Sequence, residues 1–300
     1  MHAQRSPLPD GRWHFQHGPI DITIGAEGQA DAVQAAHAAA WRRFETVLQE
    51  LVAELPILRQ PLRGGPCPLH GRVAQRMWAA CRPYRAGFIT AMASVAGAVA
   101  QELIEHYQRP GIARAWVNNG GDIALHLAPG QSVRVGLYAD LARLDARQVV
   151  DGLDLDGHFD VGWALPVRGL ASSGWRGRSF SLGIADTVTV LARSAAEADA
   201  AATVIGNAVA VEHPGIVRRP ARELRDDSDL GAIAVTVDVA RLPSRVVRQA
   251  LLCGLRRAQE LRAAGLIWSA ILVCQGQALT TDAAAAQLPG HHHNDALSAA

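Results

Sequence analysis

The 300-residue sequence is 49% hydrophobic, enough for a large buried core built as one elaborate domain or two packed lobes. Its 29 basic side chains stand against 28 acidic ones with no long run of either sign, which argues against a nucleic-acid or anionic-membrane platform. All the basic residues are arginine, and without lysine there is no Schiff-base chemistry, no lysine general base and no Walker-type phosphate loop.

The start of the chain, Met1 to Asp10, holds two prolines and no apolar core, so it does not read as a signal peptide. Residues 13–17 and 20–24 alternate around His17-Gly18-Pro19, which predicts an opening hairpin. Apolar positions recur at helical spacing over 30–55, and Pro56 is expected to end that helix. A loop over 59–71, with three prolines and three glycines, precedes helices over 72–81 and 88–107. The uncharged stretch 86–101 is too short for a membrane span and reads as a buried helix.

Strands over 113–117 and 123–127 flank Asn118-Asn119-Gly120-Gly121-Asp122, whose Asn-Gly and Gly-Gly pairs suit positive φ. Further strands are expected over 132–138, 159–164 and 184–191, with an acidic connector over 145–157. A helix starts at Ser194, which forms an S-x-x-E capping box with Glu197. Past a polar loop over 213–229 come a strand over 232–239, a helix over 244–264 and strands over 266–273 and 277–280. Residues 1–288 are expected to form the domain, and 289–300, with His291, His292 and His293, a disordered tail. Long helices against antiparallel hairpins define an α+β protein, and the hairpin-plus-helix arrangement in both halves is compatible with pseudo-duplication.

The four cysteines, Cys67, Cys81, Cys253 and Cys274, are scattered without a zinc-ligand pattern and read as reduced thiols of a cytoplasmic protein. Candidate chemistry lies elsewhere. Asp199, Thr203 and Asn207 fall four residues apart and share one helix face, offering hard oxygen atoms to magnesium; the alternative is a solvated polar stripe. Gly169-Leu170-Ala171-Ser172-Ser173-Gly174 reads as a small-residue loop that a ligand can approach closely, with Arg176 and Arg178 available to phosphates. The alternative is a flexible surface loop. Asp186, set among apolar residues expected to form a strand, must face solvent, pair or bind a metal.

Trp116-Val117-Asn118-Asn119-Gly120-Gly121-Asp122-Ile123, Ala171-Ser172-Ser173-Gly174 and Ala198-Asp199-Ala200-Ala201-Ala202-Thr203 occur in this order. In that order they resemble the Asn-x-Gly-Gly-Asp/Asn turn, the Ala-Thr-Ser-Gly loop and the Ala-Asp-Ala-x-Ala-Thr helix start of the ApbE-like proteins, the FAD:protein FMN transferases. The closer resemblance, through the Gly183–Asp186 segment and Asn207, is to the uncharacterised cytoplasmic, UPF-type branch. The family's lysine-bearing segment is represented by Ala91-Met92-Ala93-Ser94-Val95-Ala96-Gly97, and residues 181–187 stand where it has His-Ile-x-Asp-Pro-x-Thr-Gly.

The resemblance implies an ApbE-like, T-fold-like architecture and magnesium on Asp199 and Thr203. It implies FAD or FMN bound by Asn118, Asn119, Gly120, Gly121, Asp122, Ala171, Ser172, Ser173, Gly174, Arg178 and Asn207. In that reading Asp186 is the candidate catalytic group for magnesium-dependent FMN or phosphoryl transfer. A non-catalytic ligand-binding or assembly role in a cofactor pathway, such as pterin-linked one-carbon metabolism, is the alternative; a third is a homo-oligomer packed through its small-residue loops.

Overall fold

The computed structural model describes residues 2–137 and 157–281. The expected 145–157 connector, apart from Gly157, and the tail past 288 lie outside the described residues.

Strands β1 (Gln4–Pro7), β2 (Trp13–His17) and β3 (Ile20–Gly28) form an antiparallel ladder that leads into helix α1 (Ala30–Leu58). Ala36, Ala40, Phe44, Val47 and Leu51 recur along α1 on its buried stripe. The helix continues through Pro56, contrary to the sequence expectation. Proline there removes one backbone donor in the last turn, and the amide of Arg59 still closes the helix on Leu55 at 3.1 Å.

Helix α2 (Arg72–Cys81), a 3₁₀ turn (Ala91–Ser94), helix α3 (Val95–Ile104) and a second 3₁₀ turn (Glu105–Tyr107) occupy the next stretch, so the helix expected over 88–107 is regular only in its middle. Buried Glu102 binds α1, α2 and α3 together through Arg43 at 2.8 Å and Arg76 at 3.1 Å. Burial alone would raise its pKa, but the Arg43 hydrogen bond and the charges of Arg43, Arg72 and Arg76 hold it below the usual carboxylate range.

Strands β4 (Ile112–Asn119) and β5 (Asp122–Leu127) form a hairpin, and β6 (Ser132–Leu137) pairs with β7 (Gly157–Gly162) as a separate ribbon. Residues expected to be a loop form strand β8 (Gly169–Ser173), next to β9 (Thr187–Ala192). Helix α4 (Ala195–Ala208) follows, its first turn capped by Ser194 Oγ on the Glu197 amide at 3.3 Å, as the capping-box pattern predicts. A second small ribbon, β10 (Ile216–Pro220) with β11 (Ala234–Val239), precedes helix α5 (Ser244–Ala263) and the closing strands β12 (Ser269–Cys274) and β13 (Gln277–Thr280).

The main sheet runs β1-β2-β3-β4-β5-β8-β9-β12-β13 with every described pairing antiparallel. This is an α+β protein. Each half repeats one plan: two hairpin strands, helices, then two more strands, β2–β3 with β4–β5 and β8–β9 with β12–β13. The halves meet where β5 pairs with β8. One sheet face carries the helices and the larger core; the other is covered by β6 and β7, whose Val135 and Val161 pack with Leu125, Leu170 and Leu191.

Helix α4 packs closely on α3 and on strands β8 and β9, with Ala195, Ala196, Ala198, Ala200, Ala201 and Ala202 all buried. It meets α3 closely at Gly97, where an added Cβ would stand 2.3 Å from the Ala195 carbonyl oxygen. Gly97→Ala is therefore expected to destabilise the protein by about 1–3 kcal/mol, read as a lower denaturation midpoint at unchanged slope. A neutral result would mean that the two helices are not held this tightly.

Candidate functional site

The β4–β5 connection is tighter than the sequence suggests. Asn118, Asn119 and Asp122 are strand residues, and only Gly120 and Gly121, at φ +67° and +108°, make the turn. The β period puts neighbours on opposite faces: Asn119 and its cross-strand partner Asp122 turn towards the helices, and Asn118 turns away. Asn119 and Asp122 are buried, and Asn119 Nδ2 donates to the Ala96 carbonyl at 3.0 Å. Asn118 Oδ1 instead accepts the Gly121 amide at 2.8 Å, stabilising the turn.

Being strand rather than loop, β8 also divides its residues between faces. Ala171 is buried in the larger core, whereas Ser172 sends its hydroxyl to Thr189 Oγ1 at 2.9 Å and its amide to Asp122 Oδ1 at 3.2 Å. Beyond Ser173, the Gly174 carbonyl accepts the Gly177 amide at 3.1 Å, and this bend brings Arg178 over the β4–β5 turn. A Cβ on Gly120 would lie 1.9 Å from Arg178 Nη2, so the guanidinium occupies the space that a side chain would need.

On α4, each residue of the polar stripe engages a different segment. Asp199 Oδ2 accepts the Gly97 amide at 2.9 Å, capping the first turn of α3 from another helix. Thr203 Oγ1 donates to the Ala93 carbonyl at 3.5 Å, while Asn207 Oδ1 accepts the Leu182 amide at 2.9 Å and the Ser181 hydroxyl at 3.3 Å. The stripe is therefore not a solvated face.

Asp122 and Asp199 hydrogen-bond to one another. Burial pushes Asp199 up to about 7, with the Gly97 amide and the Asp122 hydrogen bond partly offsetting it. Asp122 is raised well above the usual range, first by burial and then by the charge of Asp199, against smaller opposing contributions from the Ser172 amide and Arg178. At neutral pH the pair holds a proton that two solvated carboxylates would have released.

Asp186 lies just before β9 rather than inside it. Its Oδ2 accepts the amide of Gln275 in the β12–β13 turn, and Arg176 Nε stands 3.7 Å from its Oδ1. The structure thus gathers Asn119, Gly120, Asp122, Ser172, Arg178 and Asp199 at the start of α3, with Thr203 one turn along α4. Asn118 braces the β4–β5 turn from its other face, and Asn207 and Asp186 make their contacts elsewhere. The participants not anticipated from sequence are the Ala93 and Ala96 carbonyls and the Gly97 amide, all within the 91–97 segment that the resemblance sets against the family's lysine-bearing one. No group of three or more His, Cys, Asp or Glu suited to a metal occurs among the described residues, so a cation here would combine two carboxylates with hydroxyl and carbonyl oxygen.

A family profile described as AbpE bacteria matches residues 5–280. The chain belongs to this family. It lies within the ApbE-like superfamily, and its relatives include a UPF0280 protein of Methanopyrus kandleri, 36% identical over 227 residues, which are 72% of this chain and 83% of the relative. Among solved structures, an ApbE protein from Thermotoga maritima aligns at 11% identity and TM-score 0.49, covering 93% of this chain and 96% of the other. Flavin transferase ApbE from Vibrio cholerae aligns at 12% identity and TM-score 0.44, covering 93% and 97%. No described helix of this AbpE-family chain is long and apolar enough to cross a membrane.

Asp199 also gives the chain a pH signature. Its folded-state pKa, about 7, exceeds the usual value of 3.8, so the folded state keeps a proton that the unfolded chain releases first. Stability in chelator should therefore fall as pH rises from about 4 to about 7. Asp199→Asn, which keeps an acceptor for the Gly97 amide, should flatten that slope; an equally steep slope in denaturant melts of the variant would assign the effect to other groups.

Proposed function

We propose that this protein is a cytoplasmic binder of a flavin nucleotide, or of a similar fused heteroaromatic cofactor, with magnesium as its inorganic partner. The observation that carries this reading is the hydrogen-bonded pair of carboxyls, buried Asp122 and half-buried Asp199, beside the hydroxyl of Thr203. Two acids at such close quarters suit a hard divalent cation, which replaces the shared proton and satisfies both charges. Asp199 and Thr203 would hold it, with Asp122 and the Ala93 carbonyl as neighbouring oxygen donors. Bound there, magnesium would neutralise charge on a pyrophosphate.

The chain's own residues account for the rest of the recognition. Arg178, seated against Gly120, supplies a guanidinium to phosphate oxygens, and the open space at Gly121 admits a ligand to close range. Asn118 and Asn119, with the segment from Ala171 through Ser172 and Ser173 to Gly174, border the same region, and Asn207 fixes the 181–183 segment behind it. Asp186, holding Arg176 and the closing hairpin, is the candidate to orient an acceptor for FMN or phosphoryl transfer. The resemblance of the three motifs to those of the FAD:protein FMN transferases supports flavin as the ligand.

One observation favours a second reading. The 91–97 segment has no lysine, and residues 181–187 stand in place of the family's His-Ile-x-Asp-Pro-x-Thr-Gly. A non-catalytic ligand-binding or assembly role in a cofactor pathway, with a pterin as a possible type of ligand, needs neither segment.

Thermal melts with FAD, FMN and pterins, each with and without magnesium, test both readings. FAD at about a hundred times its Kd adds about 2.7 kcal/mol to the folded state, a shift of several degrees. Asp199→Ala should remove the magnesium-dependent part. AMP released on incubation with FAD, magnesium and a candidate acceptor supports transfer; stabilisation without AMP supports binding alone, and a flat response to every ligand overturns both.

A further inference from the structure

A cleft of about 780 Å³ opens away from the Asp122–Asp199 site, between the β2–β3 hairpin and the start of α1. Trp13, Val33 and Ala38 give it an apolar wall, and Arg5, Gln34 and His37 its polar groups.

His37 is the most informative of these. Its ring is buried and tilted against Trp13 with centroids 6.1 Å apart, and Nδ1 is 2.7 Å from the hydroxyl of fully buried Tyr107. With Nδ1 turned inward, Nε2 is the atom left for the cleft, and it meets no hydrogen-bond partner among the described residues. That nitrogen is open to the cleft and available to hydrogen-bond a ligand that enters it.

The charge around the cleft gives the partner's sign. Arg5 lies over Trp13 at 5.5 Å and over Trp41 at 5.0 Å, but forms no ion pair among the described residues. Glu27, the acid at the rim, is already held by Arg114 at 2.8 Å, and Asp31 in the first turn of α1 is exposed. The N-cap of α1, Gln29, makes no side-chain capping bond, so the positive end of a 29-residue helix is left without a side-chain cap beside Gly28 and Ala30 of the cleft.

We propose that this cleft is a second small-molecule site, separate from the Asp122–Asp199 site, for an organic anion with an aromatic body. The body lies against Trp13, Val33 and Ala38. The anionic group, carboxylate or phosphate, meets Arg5 and the open end of α1, and His37 Nε2 hydrogen-bonds the ligand. This does not depend on flavin or magnesium binding.

Ligand-observed NMR on the full chain tests it, with naphthoate and naphthyl phosphate as probes and naphthylmethanol as the neutral control. At least one anion should saturate with a Kd at or below about 1 mM, and the alcohol should bind about tenfold more weakly. Arg5→Gln removes the cation and Gln34→Trp fills the mouth; both positions are exposed, so both variants should fold, and each should weaken binding about tenfold. Asp199→Asn should leave binding unchanged. The relative affinities of the two anions identify the headgroup. Absence of saturation by either anion up to about 10 mM, equal binding of the alcohol, or affinity untouched in both cleft variants would overturn the proposal.

Discussion

The Asp199 carboxylate rests on the Gly97 amide, and the centre of the molecule is arranged around that contact. Burying a carboxylate without a cation is expensive. Three features offset the cost: an amide donor at the positive end of α3, a proton shared with Asp122, and a guanidinium, Arg178, close enough to act on Asp122. None of these works at a distance. The contact needs glycine at position 97 and a run of buried alanines on α4, because any larger side chain would separate the helices and withdraw the acid from its donor.

The same constraint explains why two short stretches of chain from opposite halves of the sheet must meet. Asp122 comes from the first half and Asp199 from the second, and the halves join through the β5–β8 pairing. Ser172, at that junction, donates its amide to Asp122, so the pairing that joins the halves also orients the acid. Fold and site are thus set by one piece of geometry. A fold optimised for stability alone would replace two facing carboxyls by apolar residues. Keeping them is a local conflict of the kind that marks a functional position.

Elements with strong periodicity or an explicit cap were legible in the sequence: α2, the start of α4 at Ser194, the turn at Gly120 and Gly121, and strand β13. Residues whose conformation is set by distant partners were not. Gly169–Ser173 has the composition of a loop, yet β5 and β9 on either side give its backbone a sheet partner, and small side chains are what α4 tolerates above it. β1 is wholly exposed and polar, so no alternation marks it. The polar stripe on α4 was visible as a pattern, but nothing in its spacing revealed that Asp199, Thr203 and Asn207 face three different segments.

Asp186 and Asp199 illustrate how similar sequence contexts yield different chemistry. Both are acids set among apolar residues, and composition gives no reason to separate them. Asp186 has Arg176 at 3.7 Å and the Gln275 amide, so its charge is compensated inside the protein, and its bond to the positive-φ residue Gln275 holds the β12–β13 turn. Asp199 has an amide and another acid. Removing the shared proton from that pair leaves two negative charges beside one nearby guanidinium, and Arg178 acts mainly on Asp122. In the proposed reading, the demand for an external cation therefore falls on the Asp122–Asp199 pair and not on Asp186. That asymmetry favours the α4 stripe as the place of the proposed metal, with Asp186 acting through the arginine and the turn it holds.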